Sequence, residues 1–505
     1  MAKVGKLVLV GFMGAGKSRA TRKLAPRAGR EALDADALLE ERLGEPIPSF
    51  FEREGEDAFR ARERDLVLEL LERPGDALVP LGGGAVETDE IRHALADHTV
   101  LYVEVDPERA WARAEGSGRP LARDRHRFFE LYGRRAAMYE SVADLRLAWS
   151  DVGDGHPVFV GPGALEAAGA LWPRAEGRAF VVADEHAERY HGDALRQALS
   201  ERVEVAATIV VPAGERSKSL AEAERVMREL AAEGMQRADA IVALGGGVAG
   251  DLAGFCAASY QRGVAVVQVP TTVVAQVDSA YGGKTGVDIP EGKNYVGAFH
   301  QPAAVITDPQ TLRTLPEAEL RAGFAEVLKT GLLAGGPLWH DVQAMPPLRE
   351  TLDADMATAT RVIFRCVRHK LDVVAQDERE QGLRASLNLG HTFAHALEAA
   401  TGYERFRHGE AVALGLRVAL RLSERVVGLD PAVGGEVQEL LERHGLPLHF
   451  EGPPTDVLIE HADRDKKRRG DRRNLILLRA PGDVVIGAEV PLAALQRAIG
   501  EIRES

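Results

Sequence analysis

Hydrophobic and polar positions follow three successive patterns along this chain. Up to about residue 147, short β-rich apolar runs alternate with polar stretches that have helical periodicity. The strands predicted in this first block are 6–10, 77–81 and 99–105. A second series of apolar runs begins near Val158, and its predicted strands are 179–183, 208–211, 240–244, 264–269 and 303–307. Strands that alternate with helices predict parallel sheets, so we expect both blocks to have an α/β fold.

The last third of the chain has a different pattern. After about Pro316 the β signal fades, and the predicted helices are 317–334, 351–378, 391–401, 409–428 and 435–444. Between the first two blocks, residues 150–157 are rich in glycine and acidic side chains, which is typical of a linker. We therefore predict four segments: an α/β domain at 1–147, a linker at 148–157, a second α/β domain at 158–316 and a mainly α-helical domain at 317–505.

Composition narrows the class of protein. The 505 residues are 45% hydrophobic, which suits several packed cores, and they carry a net charge of −14. That acidic balance argues against general binding to nucleic acid or to anionic membranes. Cys256 and Cys366 are too few for a disulfide framework. Apolar runs stay shorter than the roughly 18 residues of a membrane span, so we expect a cytoplasmic protein.

A glycine loop at residues 11–18 is the most specific motif. It follows the apolar run 7–10 directly and reads Gly-Phe-Met-Gly-Ala-Gly-Lys-Ser. Its glycines, which would let backbone N–H groups approach a phosphate, are Gly11, Gly14 and Gly16. Lys17 would reach the β- and γ-phosphates, and Ser18 would ligate Mg²⁺. The loop predicts a nucleoside triphosphate site.

Charged groups suited to phosphoryl transfer follow this loop. Asp34 and Asp36 lie two residues apart, and on an extended segment both side chains would point to one side. One would hold Mg²⁺ through water, and the other a hydroxylated acceptor. Arg60 adds a cation, residues 82–84 form a second glycine cluster, and Arg119 lies in a segment that would close as a lid.

In this order the motifs resemble shikimate kinase over residues 1–147, with a parallel sheet of the P-loop kinase type. The resemblance implies ATP-dependent phosphorylation of the 3-hydroxyl of shikimate. It implies an ATP site at the loop glycines, Lys17 and Ser18, with Asp34 in the Mg²⁺ shell. The shikimate-binding residues that it implies are Asp36, Arg60, Gly82, Gly83, Gly84 and Arg135. Lys17, Asp36 and Arg119 would be catalytic, Arg119 on the transferring phosphate.

The kinase assignment has one alternative residue and one alternative function. Residues 136–139 read Ala-Ala-Met-Tyr where the family has proline before Leu-Tyr, and the neighbouring Arg134 is an alternative to Arg135. A nucleotide-sensing module without transfer activity is the alternative function for this block. The combination of Asp34, Asp36, Arg60 and Arg119 favours catalysis.

The second block carries its own glycine cluster at residues 245–247, between the strand 240–244 and a predicted helix. This placement favours a pyrophosphate site in a Rossmann-like domain, although the spacing is not Gly-x-Gly-x-x-Gly. Asp184 ends another strand and is a candidate for binding ribose hydroxyls. Lys284 and Lys293 lie in glycine-rich loops, where bare lysines suit a phosphate or carboxylate substrate.

Histidines and a Glu–Lys pair mark the helical block. Glu326 and Lys329 lie one turn apart, a spacing that is usually a surface ion pair. His391 and His395 lie at i,i+4, so their spacing alone nominates them as a metal pair, and His408 follows within 18 residues. Three histidines this close favour a metal or catalytic site.

Together the motifs of residues 156 to about 495 resemble 3-dehydroquinate synthase. In order, they are the glycine cluster, Pro-Thr-Thr, Gly-Gly-Lys-Thr-Gly, Gly-Lys-Asn, Gly-Phe-Ala-Glu-Val-Leu-Lys, Asn-Leu-Gly-His-Thr-Phe and His-Gly-Glu-Ala-Val. The resemblance implies NAD⁺, one divalent metal (usually Zn²⁺, with Co²⁺ the alternative) and a homodimer through this part. The implied reaction converts 3-deoxy-arabino-heptulosonate 7-phosphate to 3-dehydroquinate plus phosphate without net oxidation.

The resemblance also implies residue roles and replaces the histidine pair of the spacing argument. The metal ligands would be Glu326, His391 and His408. The NAD-binding residues would be Asp184, Glu215, Lys218, Gly246, Gly247, Asp251, Thr271, Thr272, Lys284 and Lys293. The substrate site would contain Asp278, Lys284, Lys329, Lys370, Arg384, Asn388 and His395, with Lys284, Lys329 and His395 catalytic. Arg262 would reach the phosphate, with a neighbouring subunit as one source.

Two alternative interpretations apply to the second half. A glycerol-dehydrogenase-like enzyme shares the glycine loop and the helical histidines, but an uncharged alcohol needs no clamp of lysines and arginine. The charged run 465–473 is typical of a nucleic-acid patch, yet in an acidic chain we favour a solvated loop with one lysine, Lys466 or Lys467, facing substrate. We expect small-molecule substrates, without a nucleic-acid or membrane partner.

Overall fold

An eleven-stranded sheet is the main structural feature of the computed structural model, which describes residues 5–115, 124–465 and 472–503. The strands of the structure are β1 Leu7–Val10, β2 Glu31–Ala32, β3 Ala77–Pro80, β4 Thr99–Tyr102, β5 Leu145–Ser150, β6 His156–Val160, β7 Ala179–Asp184, β8 Val205–Val211, β9 Ala240–Gly245, β10 Ala265–Pro270, β11 Lys284–Ile289, β12 Gly292–Phe299, β13 Ala304–Thr307, β14 Arg472–Ala480 and β15 Asp483–Pro491. The strands β1, β3, β4, β6, β9 and β13 are buried at every position, as in parallel sheets covered by helices on both faces.

Helices cover the sheet and form most of the last third of the chain. They are α1 Lys17–Ala28, α2 Ala35–Leu43, α3 Ile47–Glu54, α4 Glu56–Glu72, α5 Asp89–Ala94, α6 Pro107–Ala114, α7 Arg125–Val142, α8 Glu185–Ala187, α9 Asp193–Ser200, α10 Leu220–Ala232, α11 Gly247–Ser259, α12 Glu317–Ala334, α13 Gly336–Ala344, α14 Leu348–Ala354, α15 Met356–Gln376, α16 His391–Ala400, α17 His408–Val426, α18 Pro431–Arg443, α19 Thr455–Asp465 and α20 Leu492–Glu501. The architecture confirms the predicted fold class: two parallel α/β units followed by a mainly helical one.

Two parallel halves make up the large sheet, in the order β2-β3-β1-β4-β5-β6-β13-β10-β9-β7-β8. Every neighbouring pair is parallel except β5 and β6, which are antiparallel. The halves therefore run in opposite directions. Ligands of parallel sheets bind at the carboxyl ends of the strands, so the two glycine loops lie on opposite edges of the sheet.

The segment predicted as a linker differs in the structure. Residues 148–150 end β5 and residues 156–157 begin β6, with Ser150 paired to His156, so that 151–155 form a hairpin turn. Glycine and acidic residues are typical of linkers and of hairpin turns alike, so this part of the pattern did not distinguish the two.

The two halves also share an apolar core. Leu7 and Leu24 of the first unit belong to the same buried cluster as Phe159 and Trp172. Polar contacts cross the junction as well: Arg202 forms an ion pair with Asp76 at 2.9 Å and donates a hydrogen bond to the Ala28 carbonyl at 2.7 Å. The shared core makes the first unit and the second unit one packed body.

Two β-hairpins were not predicted. The lysine loops of the sequence analysis are instead β11 and β12, an antiparallel pair that begins at Lys284 and includes Lys293. In the helical third, β14 and β15 form a second antiparallel pair, and the predicted helix 351–378 is divided at Asp355 into α14 and α15. Arg119, Lys466 and Lys467 lie outside the described residues, so their predicted roles stay predictions.

Acid sensitivity is expected at the hairpin that joins the halves. His156, the first residue of β6, is 1% exposed, and burial, reinforced by Arg27, lowers its pKa to about 3. Its pKa in the unfolded chain is about 6.5, so the unfolded state binds the extra proton as the pH falls below 6.5. This residue alone should make the protein less stable at pH 5 than at pH 7 by about 2 kcal/mol.

The measurement is thermal unfolding at pH 7 and at pH 5 of the wild type, His156→Gln and the control His126→Gln, whose side chain is 83% exposed. His156→Gln should lose less stability between the two pH values than the wild type and the control do. Equal losses in all three proteins would show that His156 does not titrate as described.

Candidate active sites

The first glycine loop connects β1 to α1 at the carboxyl edge of the first half-sheet. Gly11 has a φ of 148°, and a Cβ there would lie 2.5 Å from the Val103 carbonyl oxygen, so the close approach of the two segments requires glycine. Lys17 Nζ donates to the Gly11 and Phe12 carbonyls at 2.6 and 3.2 Å. The ammonium thus lies over the loop, where the β- and γ-phosphates of a nucleotide would be held.

A cavity of about 430 Å³ extends from this loop. Gly14, Gly16, Lys17 and Ser18 line it, together with Asp34, Asp36 and Gly83. Asp34 is the N-cap of α2 and Asp36 lies in the first turn of that helix, so the pair is not on an extended segment as predicted. Both carboxylates still reach the cavity because the helix begins at its wall.

Two carboxylates that were not predicted, Glu63 and Glu87, pair with the arginines predicted to bind shikimate. Arg60 pairs with Glu63 at 2.5 Å and with Glu87 at 3.6 Å, and Arg135 pairs with Glu87 at 2.6 Å. Arg135 is 2% exposed whereas Arg134 is 63% exposed, so Arg135 is the buried member of the neighbouring pair. Burial raises the pKa of Glu87, but Arg135 and Arg60 outweigh it and lower that pKa overall.

Glycines 82 and 84 lie against the same charged cluster. A Cβ on Gly82 would contact Glu63 and would lie 2.9 Å from Asp36 Oδ1, and one on Gly84 would collide with the Arg60 guanidinium. The cluster therefore combines carboxylates and arginines with the backbone of two glycines, which carry no side chain. Such a surface suits an acceptor that has both hydroxyl and carboxylate groups.

The second glycine loop lies between β9 and α11. Gly246 is the N-cap of α11, and a Cβ on it would lie 2.9 Å from Thr272 Cγ2. Asp184 Oδ1 accepts hydrogen bonds from the backbone N–H of His186 and Ala187, and Oδ2 accepts one from Gly246 at 3.3 Å. Asp184 thus fixes the loop at the carboxyl edge of β7 and β9.

The other residues predicted to bind NAD lie at the same edge, and the lysines are paired. Lys218 pairs with Asp251 at 2.6 Å, Lys293 with Glu215 at 3.5 Å, and Lys284 with Glu380. Thr271 is buried, and Thr272 Oγ1 accepts a hydrogen bond from Ala275 N–H at 3.3 Å. The expectation of bare lysines is therefore wrong for Lys284 and Lys293, each of which has a carboxylate partner.

Three helices bring Glu326, His391 and His408 together. One ligand atom from each lies within 4.8 Å of the others, and within the described ranges this is the one such group of three or more. Glu326 comes from α12, His391 begins α16 and His408 begins α17. His395 is exposed and lies outside this group, with its ring 5.4 Å from that of His391.

The chemistry of this group fits a divalent metal. Glu326 is fully buried, and neither carboxylate oxygen has a hydrogen bond of good geometry, although Lys329 Nζ lies 2.6 Å from Oε2. Burial, and then Lys329, lower the pKa of His391 to about 3, which keeps the ring neutral as a metal ligand must be. Its Nδ1 faces the Leu389 carbonyl at 3.2 Å, leaving Nε2 towards Glu326.

His408 lies between two carboxylates. Its Nε2 is 3.3 Å from Glu326 Oε1, and its Nδ1 is 3.4 Å from Glu398 Oε1. Burial opposes the charge, but Glu326 and Glu398 raise the pKa of His408 to about 10. A metal bound at Glu326 would take the place of the proton on His408 Nε2, and Glu398 would accept the hydrogen bond of Nδ1–H.

A buried Lys-Asp-Lys cluster adjoins the metal-type site. Asp278 forms an ion pair with Lys329 at 3.3 Å and accepts from Lys370, which also donates to the Asp278 carbonyl at 2.6 Å. Burial opposes its charge, but Lys329 and Lys370 hold the pKa of Asp278 well below the usual range. Glu326 and Lys329 are therefore a buried pair within a site, and the usual surface pairing at this spacing does not apply here.

Arg384 and Asn388 are held by groups from neighbouring segments. Arg384 is 1% exposed and donates to the Gly282 carbonyl at 2.9 Å, and Asn388 donates to Glu380 Oε1 at 2.8 Å. Arg262 lies elsewhere: it is exposed at the carboxyl end of the turn 260–262 that follows α11. Since α11 begins at the carboxyl edge of the sheet, Arg262 lies towards the opposite edge in one copy of the chain.

Sequence reasoning missed the carboxylates that position the basic groups. These are Glu63, Glu87, Glu380 and Glu398. Glu398 had a usable signal because it lies seven residues after His391 on one helix face. Glu63 had a similar signal because it follows Arg60 by three residues on α4, whereas Glu87 and Glu380 come from segments without a motif.

The fold and the two sites define a two-part enzyme: a P-loop phosphotransferase unit joined to a dinucleotide-binding α/β unit with a helical, metal-type site.

Comparisons with known proteins identify both parts. Residues 13–152 match the family model for shikimate kinase. Residues 208–322 match the model described as 3-dehydroquinate synthase N-terminal, and residues 323–468 match its C-terminal counterpart. The 3-dehydroquinate synthase of Acidithiobacillus ferrooxidans is 43% identical over 354 residues, covering 69% of this chain and 96% of that protein. That of Caulobacter vibrioides is 43% identical over 351 residues, covering 68% and 94%. The chain belongs to the 3-dehydroquinate synthase family and carries a shikimate kinase domain before the synthase part.

Solved structures support the fold of the second part. A 2-deoxy-scyllo-inosose synthase complexed with carbaglucose-6-phosphate, NAD⁺ and Co²⁺ is 25% identical, with a TM-score of 0.64 over 70% of this chain and 99% of that one. A 2-epi-5-epi-valiolone synthase from Streptomyces hygroscopicus with NAD⁺ and Zn²⁺ bound is 27% identical, with a TM-score of 0.63 over 70% and 98%. Among the described residues, no helix is both long and apolar enough to span a membrane.

Proposed function

We propose that the chain catalyses two separate reactions. In the first, ATP phosphorylates shikimate to shikimate 3-phosphate. In the second, 3-deoxy-arabino-heptulosonate 7-phosphate becomes 3-dehydroquinate and phosphate. The observation that carries the proposal is that each half brings its reactive groups to one place: Lys17, Asp34 and Asp36 on one cavity, and Glu326, His391 and His408 within 4.8 Å.

In the kinase half, the glycine loop and Lys17 hold the β- and γ-phosphates, and Ser18 with Asp34 holds Mg²⁺. Bound Mg²⁺ neutralises the charge that develops on the transferred phosphoryl group. Asp36 accepts the hydrogen bond of the acceptor hydroxyl and orients it for attack. Arg60 and Arg135 bind the shikimate carboxylate beside Gly82–Gly84, and Arg119 binds the transferring phosphate.

In the synthase half, Glu326, His391 and His408 hold one divalent metal, for which Zn²⁺ is the first candidate and Co²⁺ the second. When bound, NAD⁺ would supply a reversible hydride acceptor, and the metal would supply a Lewis acid for the substrate alcohol. Lys329, Lys370 and Arg384 bind the anionic groups of the substrate with Asn388, and Asp278 bridges the two lysines. Lys284 and the exposed His395 contact the reacting substrate.

The NAD site is assigned to the edge that carries Gly246 and Gly247. Asp184 fixes this loop, Thr271 and Thr272 end β10 beside it, and the paired residues Glu215, Lys218, Asp251 and Lys293 form the outer wall. Because Arg262 is exposed and lies towards the other edge of the sheet, its reach to a substrate phosphate requires a second copy of the chain, which favours a homodimer through the synthase half.

A dehydrogenase that acts on an uncharged alcohol is disfavoured by the same observation. Lys329, Lys370 and Arg384 are all buried at the site. The two lysines pair with Asp278 and Glu326, whereas Arg384 donates to the backbone carbonyls of Glu378 and Gly282, so an anionic substrate group would pair with the arginine. A phosphorylated carboxylic acid supplies that charge, whereas glycerol does not.

The kinase assignment is tested by the release of ADP from ATP by the purified chain, with and without shikimate. One ADP per shikimate consumed supports phosphoryl transfer. Binding of ATP without shikimate-dependent release of ADP would support the nucleotide-sensing alternative.

A further inference from the structure

The cavity of the kinase half is completed by a helix of the synthase half. Besides the glycine loop, its lining includes Arg368, Leu371, Asp372 and Ala375, all from α15. These positions have the spacing i, i+3, i+4 and i+7, which places them on one face of the helix. Lys370, which contacts Asp278 in the synthase site, lies on the opposite face of the same helix. Helix α15 is thus a wall shared by the two sites.

A contact across the junction fixes one side of this cavity. Arg109 of α6, itself a lining residue, forms an ion pair with Asp372 at 3.0 Å and donates a hydrogen bond to the other carboxylate oxygen at 3.1 Å. The contact to both carboxylate oxygens restrains the Arg109 guanidinium over the cavity. Arg113, one turn further along α6, donates to the Gly14 carbonyl at 2.9 Å and so connects this wall to the glycine loop.

Arg368 has a different environment. Within the ranges that the structure describes, its guanidinium makes no hydrogen bond or ion pair, although the residue lines the cavity and is partly buried. An arginine without a carboxylate partner in a cavity built around a phosphate loop is suited to bind an anionic or polar ligand group.

The direction of the nucleotide follows from the other walls. The glycine loop and Lys17 hold the phosphates, and Asp36 and Gly83 mark the acceptor side. The nucleoside must then extend towards the remaining wall, where Arg109, Trp149 and α15 lie.

We propose that α15 of the synthase half is part of the kinase's nucleotide site, with Arg368 in contact with the bound nucleotide and Asp372 positioning Arg109. This inference rests on the proposed kinase function for the identity of the ligand. It assigns to the synthase half a part in nucleotide binding, and it predicts that the synthase helix is needed for full affinity for ATP.

The test measures the Kd of β,γ-imido-ATP with Mg²⁺ by calorimetry on the full chain, together with KM and kcat for ATP and shikimate. Arg368→Gln should raise the Kd and the KM for ATP roughly tenfold, as expected for loss of a charged hydrogen bond. Asp372→Asn should raise them roughly threefold, because its partner is half exposed, and Asp372→Glu should restore most of the loss. KM for shikimate and kcat should stay within about twofold of wild type.

Asp341→Asn is the matched control. Asp341 of α13 pairs with Arg361 and Arg365 of α15, so this change also removes a carboxylate that pairs with the same helix, away from the cavity. It should leave the nucleotide Kd unchanged. The proposal is overturned if Arg368→Gln and Asp372→Asn bind the analogue as tightly as wild type, or if Asp341→Asn weakens binding equally. If the wild type fails to phosphorylate shikimate, the proposed function fails, but the Kd values still decide this inference.

Discussion

Glu326→Gln is expected to lower synthase turnover by roughly three orders of magnitude, or about 4 kcal/mol of transition-state stabilisation, and to release the bound metal. The amide is a neutral and weaker ligand, so the set with His391 and His408 loses its only anionic member. The change also leaves the buried Lys329 with one carboxylate partner, Asp278, in place of two. The readouts are metal content by mass spectrometry and phosphate release from the heptulosonate phosphate.

Glu317→Gln on the same helix is the matched control, because Glu317 is 52% exposed and pairs with Arg349 away from the site. It should keep both metal and turnover. Kinase activity of Glu326→Gln, measured in the same preparation, reports whether the chain is folded. A Glu326→Gln protein with full metal content and normal turnover would remove Glu326 from the ligand set.

Asp36→Asn should lower the phosphorylation of shikimate by roughly two to four orders of magnitude while the affinity for ATP stays nearly unchanged. Asp36 lines the cavity next to Gly82, whereas in the proposed function the glycine loop and Lys17 would hold the phosphates. An asparagine keeps the size of the side chain but loses the negative charge that attracts the hydroxyl proton. The measurement is kcat for ADP release together with the Kd of β,γ-imido-ATP.

Glu41→Gln provides the comparison, since Glu41 is an exposed carboxylate on the same helix, α2. Normal turnover in Glu41→Gln and loss in Asp36→Asn assign the effect to position 36. Unaltered turnover in Asp36→Asn would contradict the role given to Asp36.

Local motifs were predictable because they need neighbouring residues alone. The glycine loop at 11–18 is set by backbone requirements of a single turn, and its glycines take the positive φ values that the motif demands. The metal-type site was harder: helical spacing favoured His391 with His395, whereas the group in space includes Glu326, 65 positions earlier than His391. The family resemblance, not the periodicity, selected that residue.

The sequence patterns could not predict contacts between distant segments. The turn at 151–155 has a composition that suits a linker, and the pairing of β5 with β6 depends on strands whose partners are set by tertiary packing. Glu87 beside Arg60 and Arg135, and Asp372 beside Arg109, are single charged residues without a surrounding motif. Their roles follow from chain topology that only the structure provides.

We propose two reactions on one chain, the second of which is redox-neutral. Turnover of the synthase half distinguishes this proposal from a dehydrogenase. Purified protein is mixed with 3-deoxy-arabino-heptulosonate 7-phosphate and a trace of NAD⁺, and phosphate is followed before chelation, after chelation and after Zn²⁺ is restored. Many phosphates should be released per NAD⁺, release should stop with the chelator, and it should recover with Zn²⁺. Stoichiometric NADH without phosphate would contradict the proposal and would indicate a dehydrogenase.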